Sequence, residues 1–291
     1  LKLKKEKMQS RELGLVLGQQ LLGVDDLHYG LWDDDLELKI TNLAQAQQRY
    51  TELLLSNFPD PKDNVRVVDI GCGTGHILSQ LLGRGYHVDG VIPSKSLSKL
   101  VNQRLEKHPG HDTQLFECKF EDFPASQFEQ RYDVALFSES FQYIPMDASF
   151  SILQRILKPG GLLVICDFFK TEHHGDGQPG DRSFGGGHPM DEFYEKVKQT
   201  PFSLLRDEDI TRRVSPNLAL LNDLLQNTIK PVGITLGQYL HSNYPKLSWI
   251  ATKLFRKKFN KLNYKYFSGH RSKEVFERYK TYHLLVYKLN Q

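Results

Sequence analysis

The stretch VRVVDIGCGTGH (65–76) constrains the fold of this chain more than any other. A short apolar run rich in β-branched residues leads into Gly71, Gly73 and Gly75, and an apolar-periodic segment follows. Such a run reads as a strand covered on both faces. Glycines at its carboxyl end let the backbone turn sharply and come close to another group. Strand, glycine turn and helix form the opening unit of a doubly wound α/β sheet, which binds ligands at the carboxyl ends of its strands.

The same unit recurs down the chain. HILSQLLGRG (76–85) reads as a helix ended by its glycines, YHVDGVI (86–92) as the second strand, and SKSLSKLVNQRLEKH (94–108) as a helix opened by a serine cap. TQLFEC (113–118) and YDVALFS (132–138) read as further strands, then a helix over 146–157 precedes LLVICDFF (162–169). Strands alternating with helices predict a mostly parallel sheet with right-handed crossovers. A glycine-rich loop, a helix near Pro189, a strand around 202–211, a long helical stretch and a last strand, YHLLVYK (282–288), complete the pattern.

The expected architecture is therefore α/β, a Rossmann-like doubly wound sheet of seven strands. An N-terminal helical segment (1–57) precedes the core (58–211). A helical cap (212–273) is inserted before the final strand (274–291).

Composition excludes some functions. The formal net charge is +3, too small for a general polyanion binder, and no basic stripe extends over most of the chain, so nucleic acid is not expected. No apolar run reaches the length of a membrane-crossing helix. LKLKKEKMQSRELG at the N-terminus lacks the apolar stretch of a signal peptide, which makes the cytoplasm the expected compartment. Cys72, Cys118 and Cys166 are too few and too scattered for a disulfide framework.

Three segments together, VVDIGCGTG (67–75), FEDFP (120–124) ahead of YDVALFS, and LKPGG (157–161) directly before a strand, resemble the motifs of class I S-adenosylmethionine-dependent methyltransferases. The resemblance covers roughly residues 65–170. A dinucleotide-binding fingerprint would need glycine where His76 stands. The resemblance implies that Gly71, Cys72, Gly73 and Gly75 line the methionine part of S-adenosylmethionine, whose product is S-adenosylhomocysteine. Asp69 would steady the loop or the cofactor's amino group, and Phe120 and Glu121 would flank and hydrogen-bond adenine. Glu121 and Asp122 are otherwise a solvated loop pair. One departure stands out: Ile92 occupies the position where the family commonly places the acid that holds the ribose, leaving Ser94 or Lys95 as substitutes.

Three regions carry candidate chemistry. HYGLWD (28–33) is similar to a segment preceding the core in cyclopropane-fatty-acid, tocopherol and phosphoethanolamine methyltransferases. There Tyr29 and Trp32 would cover the positive sulfur with their rings, Tyr29 doubling as a catalytic candidate; the alternative is a hydrophobic plug between N-terminal helices. SESFQYI (138–144) follows the fourth strand at the expected mouth of the site. Ser138 would contact cofactor, Glu139 would hydrogen-bond a cofactor group or act as the general base (the alternative is a solvated strand-end residue), and Gln142 and Tyr143 would orient the acceptor. The loop TEHHGDGQPGDRSFGGGHP (171–189) suits a mobile lid. His188 is its catalytic candidate and His173 and His174 are candidate acceptor contacts. Adjacent histidines do not match familiar metal-ligand spacings, so no metal is expected.

PKLSWIATKLFRKKFNKLNYKYF (245–267) is basic and amphipathic. The expectation is a cap helix that packs its apolar side on the core; the alternative is peripheral contact with an anionic membrane surface. The overall reading is methyl transfer by in-line displacement to a small-molecule or lipid-like acceptor. A protein methyltransferase and a catalytically silent cofactor-binding partner are the alternatives. Oligomeric state and the acceptor atom have no signature in the sequence.

Overall fold

The computed structural model describes Gly23 and residues 28–290. The part of the expected N-terminal helical segment before Gly23 lies outside the described residues. Seven strands form one sheet in the order β3-β2-β1-β4-β5-β7-β6. They are β1 (Arg66–Ile70), β2 (His87–Val91), β3 (Leu115–Phe116), β4 (Tyr132–Ser138), β5 (Leu157–Lys170), β6 (Phe202–Asp209) and β7 (Lys280–Leu289). The first five pair in parallel, and β7 runs antiparallel between β5 and β6.

Core helices α1 (Leu43–Leu55), α2 (His76–Gly83), α3 (Lys95–Leu105), α4 (Met146–Ile156) and α5 (Met190–Val197) cover the sheet. In α4 the buried residues Met146, Ser149, Phe150, Leu153 and Ile156 recur at helical spacing, which fixes the face it turns to the core. Alternate residues of the strands feed two buried clusters: Val67, Val134, Val164 and Leu284 in one, Val68, Ala135, Ile165 and Leu285 in the other. LKPGG, expected to precede the fifth strand, is the start of β5. The third strand contracts to Leu115–Phe116, because it lies at the sheet edge and pairs only with Gly90 and Val91.

The segment 28–32 is stitched to both neighbours. Gly30 donates its N–H to Asn217 Oδ1 (2.9 Å) and accepts from Asn217 Nδ2 (2.6 Å). Leu31 N donates to Ala46 O and Trp32 N to Arg213 O, each at 2.8 Å. A Cβ on Gly30 would meet Ala46 Cβ at 2.5 Å. Gly30→Ala is therefore expected to destabilise the protein by about 2 kcal/mol, because overpacking a closed contact costs that order. Urea unfolding of the variant, with the slope unchanged, checks it.

The inserted region divides into two parts. Short helices α6 (Thr211–Val214) and α7 (Pro216–Asp223) dock on the body, with Val214 and Leu218 fully buried. Helices α8 (Lys230–Asn243) and α9 (Pro245–Leu262) then form a hairpin in which no residue is buried. The expected packing of the apolar side of 245–267 on the core is therefore corrected: Leu247 is 65% and Leu254 72% exposed. The amphipathic pattern was legible, but an apolar helix side does not specify what covers it. A final helix, α10 (Lys273–Tyr279), returns to the body through buried Phe276 and leads into β7.

Candidate cofactor and active site

The carboxyl ends of β1, β4 and β5 and the start of antiparallel β7 share one edge of the sheet, and the candidate residues gather there. After β1 the chain enters the glycine turn with Gly71, Gly73 and Gly75 all at positive φ (80°, 57° and 77°). Gly71 N and Cys72 N both donate to Val91 O (2.8 and 3.3 Å), which clamps the turn to β2. Gly75 ends the turn in the left-handed region and opens α2. Ser140, behind the turn, donates its hydroxyl to Ile70 O and fills the space a Cβ on Gly71 would need.

Asp69 is 2% exposed, and its Oδ2 has no hydrogen-bond partner. Burial alone raises its carboxyl to a pKa of about 7. A buried, unpartnered carboxyl beside a turn stripped of side chains fits the ammonium of an amino-acid-like ligand, so these residues suit S-adenosylmethionine. Cys72 is buried, and burial pushes its thiol well up, which leaves it an apolar liner rather than a nucleophile.

The adenine and ribose positions are less complete. Phe120 is buried among Phe123 and Phe137, with ring centroids 5.9 and 5.7 Å away, whereas Glu121 is exposed. Ile92 is buried in the core cluster and offers the ribose no acceptor. Ser94 Oγ caps α3 by accepting from Leu97 N (3.3 Å) and stands 3.0 Å from Ser96 Oγ.

Glu139, the first residue after β4, has φ 54°, a conformation side chains other than glycine rarely take. Its Oε1 accepts from Tyr29 N (2.8 Å) and from Tyr282 OH (2.9 Å). Burial holds its pKa above the usual carboxylate range, opposed by His28 and by those two hydrogen bonds. Tyr282 OH also lies 3.1 Å from Tyr50 OH, which reaches Ser138 Oγ (3.1 Å) and Cys166 O (3.2 Å). His28 stacks on Tyr50 at 4.3 Å. Thus Glu139, Ser138 and Tyr29 do come together, joined by tyrosines from α1 and β7.

Trp32 does not join them. It is buried with Leu36, Leu43 and Ala46 in a separate cluster, its Nε1 without a partner. Tyr29 instead packs edge-on to Phe276 (6.2 Å) and Tyr282 (6.3 Å), with Phe168 and Phe184 in contact with Phe276 behind it. This gives the sheet edge an aromatic wall.

Gln142 is buried and donates N and Nε2 to the two carboxylate oxygens of Asp167 (3.0 Å each), while Tyr143 is half exposed. Asp167 is fully buried, and burial raises its pKa to about 8. His188 Nε2 lies 3.1 Å from Phe141 O and 2.9 Å from Ile144 O. Both partners are acceptors, so Nε2 carries the proton and Nδ1 is the nitrogen left for chemistry. His173 is on the exposed tip with Glu172, and His174 faces Asp181 at 3.6 Å.

The loop expected as a lid is fastened at several points. Lys170 N donates to His188 O (2.8 Å), Asp181 accepts from Gly175 N (2.8 Å), and Asp176 takes Arg278 and Tyr279 from α10. Lys280, fully buried at the start of β7, donates Nζ to Gly186 O at 2.6 Å. Burial, reinforced by Lys170, lowers its pKa to about 8.

Sequence reasoning missed Asp167, Lys280, Asn217 and the Tyr50–Tyr282 pair. Asp167 had a signal, an acid inside the apolar run LLVICDFF. The others had none, since their partners are remote in sequence.

Comparison with known proteins adds three kinds of likeness. The model of a family described as a methyltransferase domain matches residues 43–206. The sterol 4-C-methyltransferase of Caenorhabditis elegans is 31% identical over 116 residues, covering 38% of this chain and 34% of that protein. The chain thus spans about a third of that relative's length. Among solved structures, geranyl diphosphate C-methyltransferase from Streptomyces coelicolor, determined with Mg2+, geranyl diphosphate and S-adenosyl-L-homocysteine, superposes with TM-score 0.64 at 18% identity, covering 93% of this chain and 92% of that one. The [4+2]-cyclase SpnF superposes with TM-score 0.64 at 19% identity, covering 97% and 96%. At these identities the superpositions establish the fold.

Proposed function

This chain belongs to the methyltransferase-domain family, with its class I Rossmann-like sheet, and from that premise we propose that it transfers a methyl group from S-adenosylmethionine to a small, largely apolar acceptor. The observation that carries the proposal is the buried, unpartnered Asp69 carboxyl beside the positive-φ glycine turn. In this reading Asp69 holds the cofactor's ammonium, Gly71 to Gly75 line its methionine part, and Phe120 lies under the adenine.

The bound cofactor supplies a sulfonium methyl with an excellent leaving group. The protein's task is then to align the acceptor and exclude water. The wall of Tyr29, Phe168, Phe276 and Tyr282 favours an acceptor with an apolar body, in keeping with the sterol and geranyl diphosphate named for the two methyltransferases. Lys280 and the Arg271 guanidinium, which stands 5.1 Å over Phe184, favour a polar or anionic end. Peripheral membrane contact through 245–267 belongs to the same reading, supported by the exposed apolar side of that segment.

Glu139 is the proposed proton acceptor for the acceptor group, and Tyr29 and Tyr282 hold its carboxylate in place. Glu139→Gln keeps an oxygen for both donors but removes the base. Its turnover is expected to fall at least about a hundredfold, within the range of general-base contributions. Cofactor affinity and Tm should stay near wild type; unchanged turnover would restrict Glu139 to fastening the N-terminal segment.

The direct test incubates the protein with S-adenosylmethionine carrying a labelled methyl group and a panel of sterols, prenyl compounds and fatty acids. Label in an organic-extractable product supports the proposal. A second reading is cofactor binding without transfer, since the fold does not itself dictate the reaction and a [4+2]-cyclase shares it. Binding of S-adenosylmethionine with no labelled product from any acceptor favours that reading.

A further inference from the structure

The α8–α9 hairpin carries the most unbalanced charge in the molecule. Between Asp223 and Glu274 the sequence has ten Lys and Arg and no acidic residue. The whole chain is only +3, so elsewhere acidic residues outnumber basic ones. Neither helix buries a single residue.

On α9, Leu247, Ile250, Leu254, Phe255 and Phe259 occupy one side and are all exposed. Lys246, Lys253, Arg256 and Lys257 lie outside that side, and Lys258 and Lys261 stand on it. Two cations already lie over rings: Lys253 Nζ is 4.9 Å from the Trp249 centroid and Lys258 Nζ 5.6 Å from that of Phe255. α8 adds exposed Val232, Leu236, Tyr239 and Leu240. Monomeric proteins rarely leave so much contiguous apolar surface in water.

We propose that the α8–α9 hairpin is an interfacial foot that lies on an anionic lipid surface, with its apolar side chains at the headgroup–acyl boundary and its lysines among the headgroup phosphates. The proposal deepens, and rests on, the reading that the acceptor is apolar. Charge complementarity selects the occupant: a cationic hairpin on a net-acidic body is drawn to an anionic bilayer, and the body is repelled from it. That difference orients the molecule hairpin-down. No helix among the described residues is long and apolar enough to cross a membrane, so the hairpin lies on the bilayer rather than through it. At 1.5 Å per residue, α9 offers an edge about 27 Å long.

Of the two tryptophans, Trp32 is buried in the body, and Trp249, two residues after Leu247, stands on the side of α9 away from the apolar row, so Leu254→Trp in a Trp249→Phe background supplies a reporter on that row. Its emission should shift to the blue on titration with phosphatidylcholine vesicles containing phosphatidylserine, and at least about tenfold more lipid should be needed without phosphatidylserine. Adding Lys253→Glu, Lys257→Glu and Lys261→Glu should remove the preference for anionic vesicles, and the Trp249→Phe protein without Leu254→Trp should show no shift while vesicle pelleting persists.

Equal binding to both vesicle types, or no binding to either, overturns the proposal. Self-association by light scattering that the triple variant abolishes, without vesicle binding, overturns it in favour of a second copy as the occupant. Calorimetry with S-adenosylmethionine on the same preparations reads the cofactor site separately, so failure of the foot and failure of the enzymatic reading are distinguishable.

Discussion

Asp69→Asn is expected to weaken S-adenosylmethionine binding at least about thirtyfold at pH 8, because removing one partner of a buried charge pair costs about 2–5 kcal/mol. The same substitution should stabilise the free protein at that pH. In the folded chain Asp69 keeps its proton up to about pH 7, with burial as the cause. Unfolded, it releases the proton in the ordinary carboxylate range near pH 4. Between those values the folded state binds the extra proton, so this group's contribution to stability falls as pH rises through the window from about 4 to 7. Asparagine cannot ionise, so the free variant should gain on the order of 4 kcal/mol at pH 8 relative to wild type and little at pH 4.

Binding carries the complementary signature. In the proposed site the ammonium of the cofactor pairs with the ionised carboxyl, so wild-type affinity should fall by up to about tenfold per pH unit below pH 7. In Asp69→Asn that slope should disappear. Denaturant melts at pH 4 and pH 8, with calorimetric titrations over the same range, read both effects. A variant that binds as tightly as wild type would remove Asp69 from the site.

Gly71→Ala should cause the largest loss of stability. The position has φ 80°, which costs a residue with a Cβ about 1–2 kcal/mol. The added Cβ would also lie 2.4 Å from Ser140 Cβ and 3.0 Å from Ser140 Oγ. Something must move, and Ser140 is tied to Ile70 O through its hydroxyl. Overpacking of this kind costs about 1–3 kcal/mol, so the total is about 2–5 kcal/mol. The turn would be displaced from Val91 O, and cofactor affinity should fall with it. Adding Ser140→Gly should recover the clash but not the backbone cost, and a double-mutant cycle separates the two. If Ser140→Gly recovers nothing, the close approach is not the source of the loss.

The sheet was legible because its strands are buried on both faces. Val67, Val68 and Ile70, and the run Leu163 to Cys166, have no polar alternation to confuse with a helix. Where burial is one-sided or absent, legibility failed. β3 shrank to two residues at the edge, and α9 had the right pattern with the wrong partner.

In the site, the residues named from the glycine turn stand together because one turn carries them. The HYGLW segment split, since Tyr29 and Trp32 leave the chain toward different clusters and spacing alone gives no sign of it. Asp167 and Lys280 became visible only once β5 and β7 were paired, with Lys170 opposite Lys280 in the register. His188 turned out to hold two backbone carbonyls, a commitment that the sequence cannot display.

In the proposed site the glycine turn and Asp69 together hold S-adenosylmethionine. Calorimetric titration of the wild-type protein at pH 8 with S-adenosylmethionine, S-adenosylhomocysteine and NAD tests it most directly. Saturable one-to-one binding of the first two is expected, and none of NAD. Binding of NAD alone, or of none of the three with or without an apolar acceptor present, would contradict it.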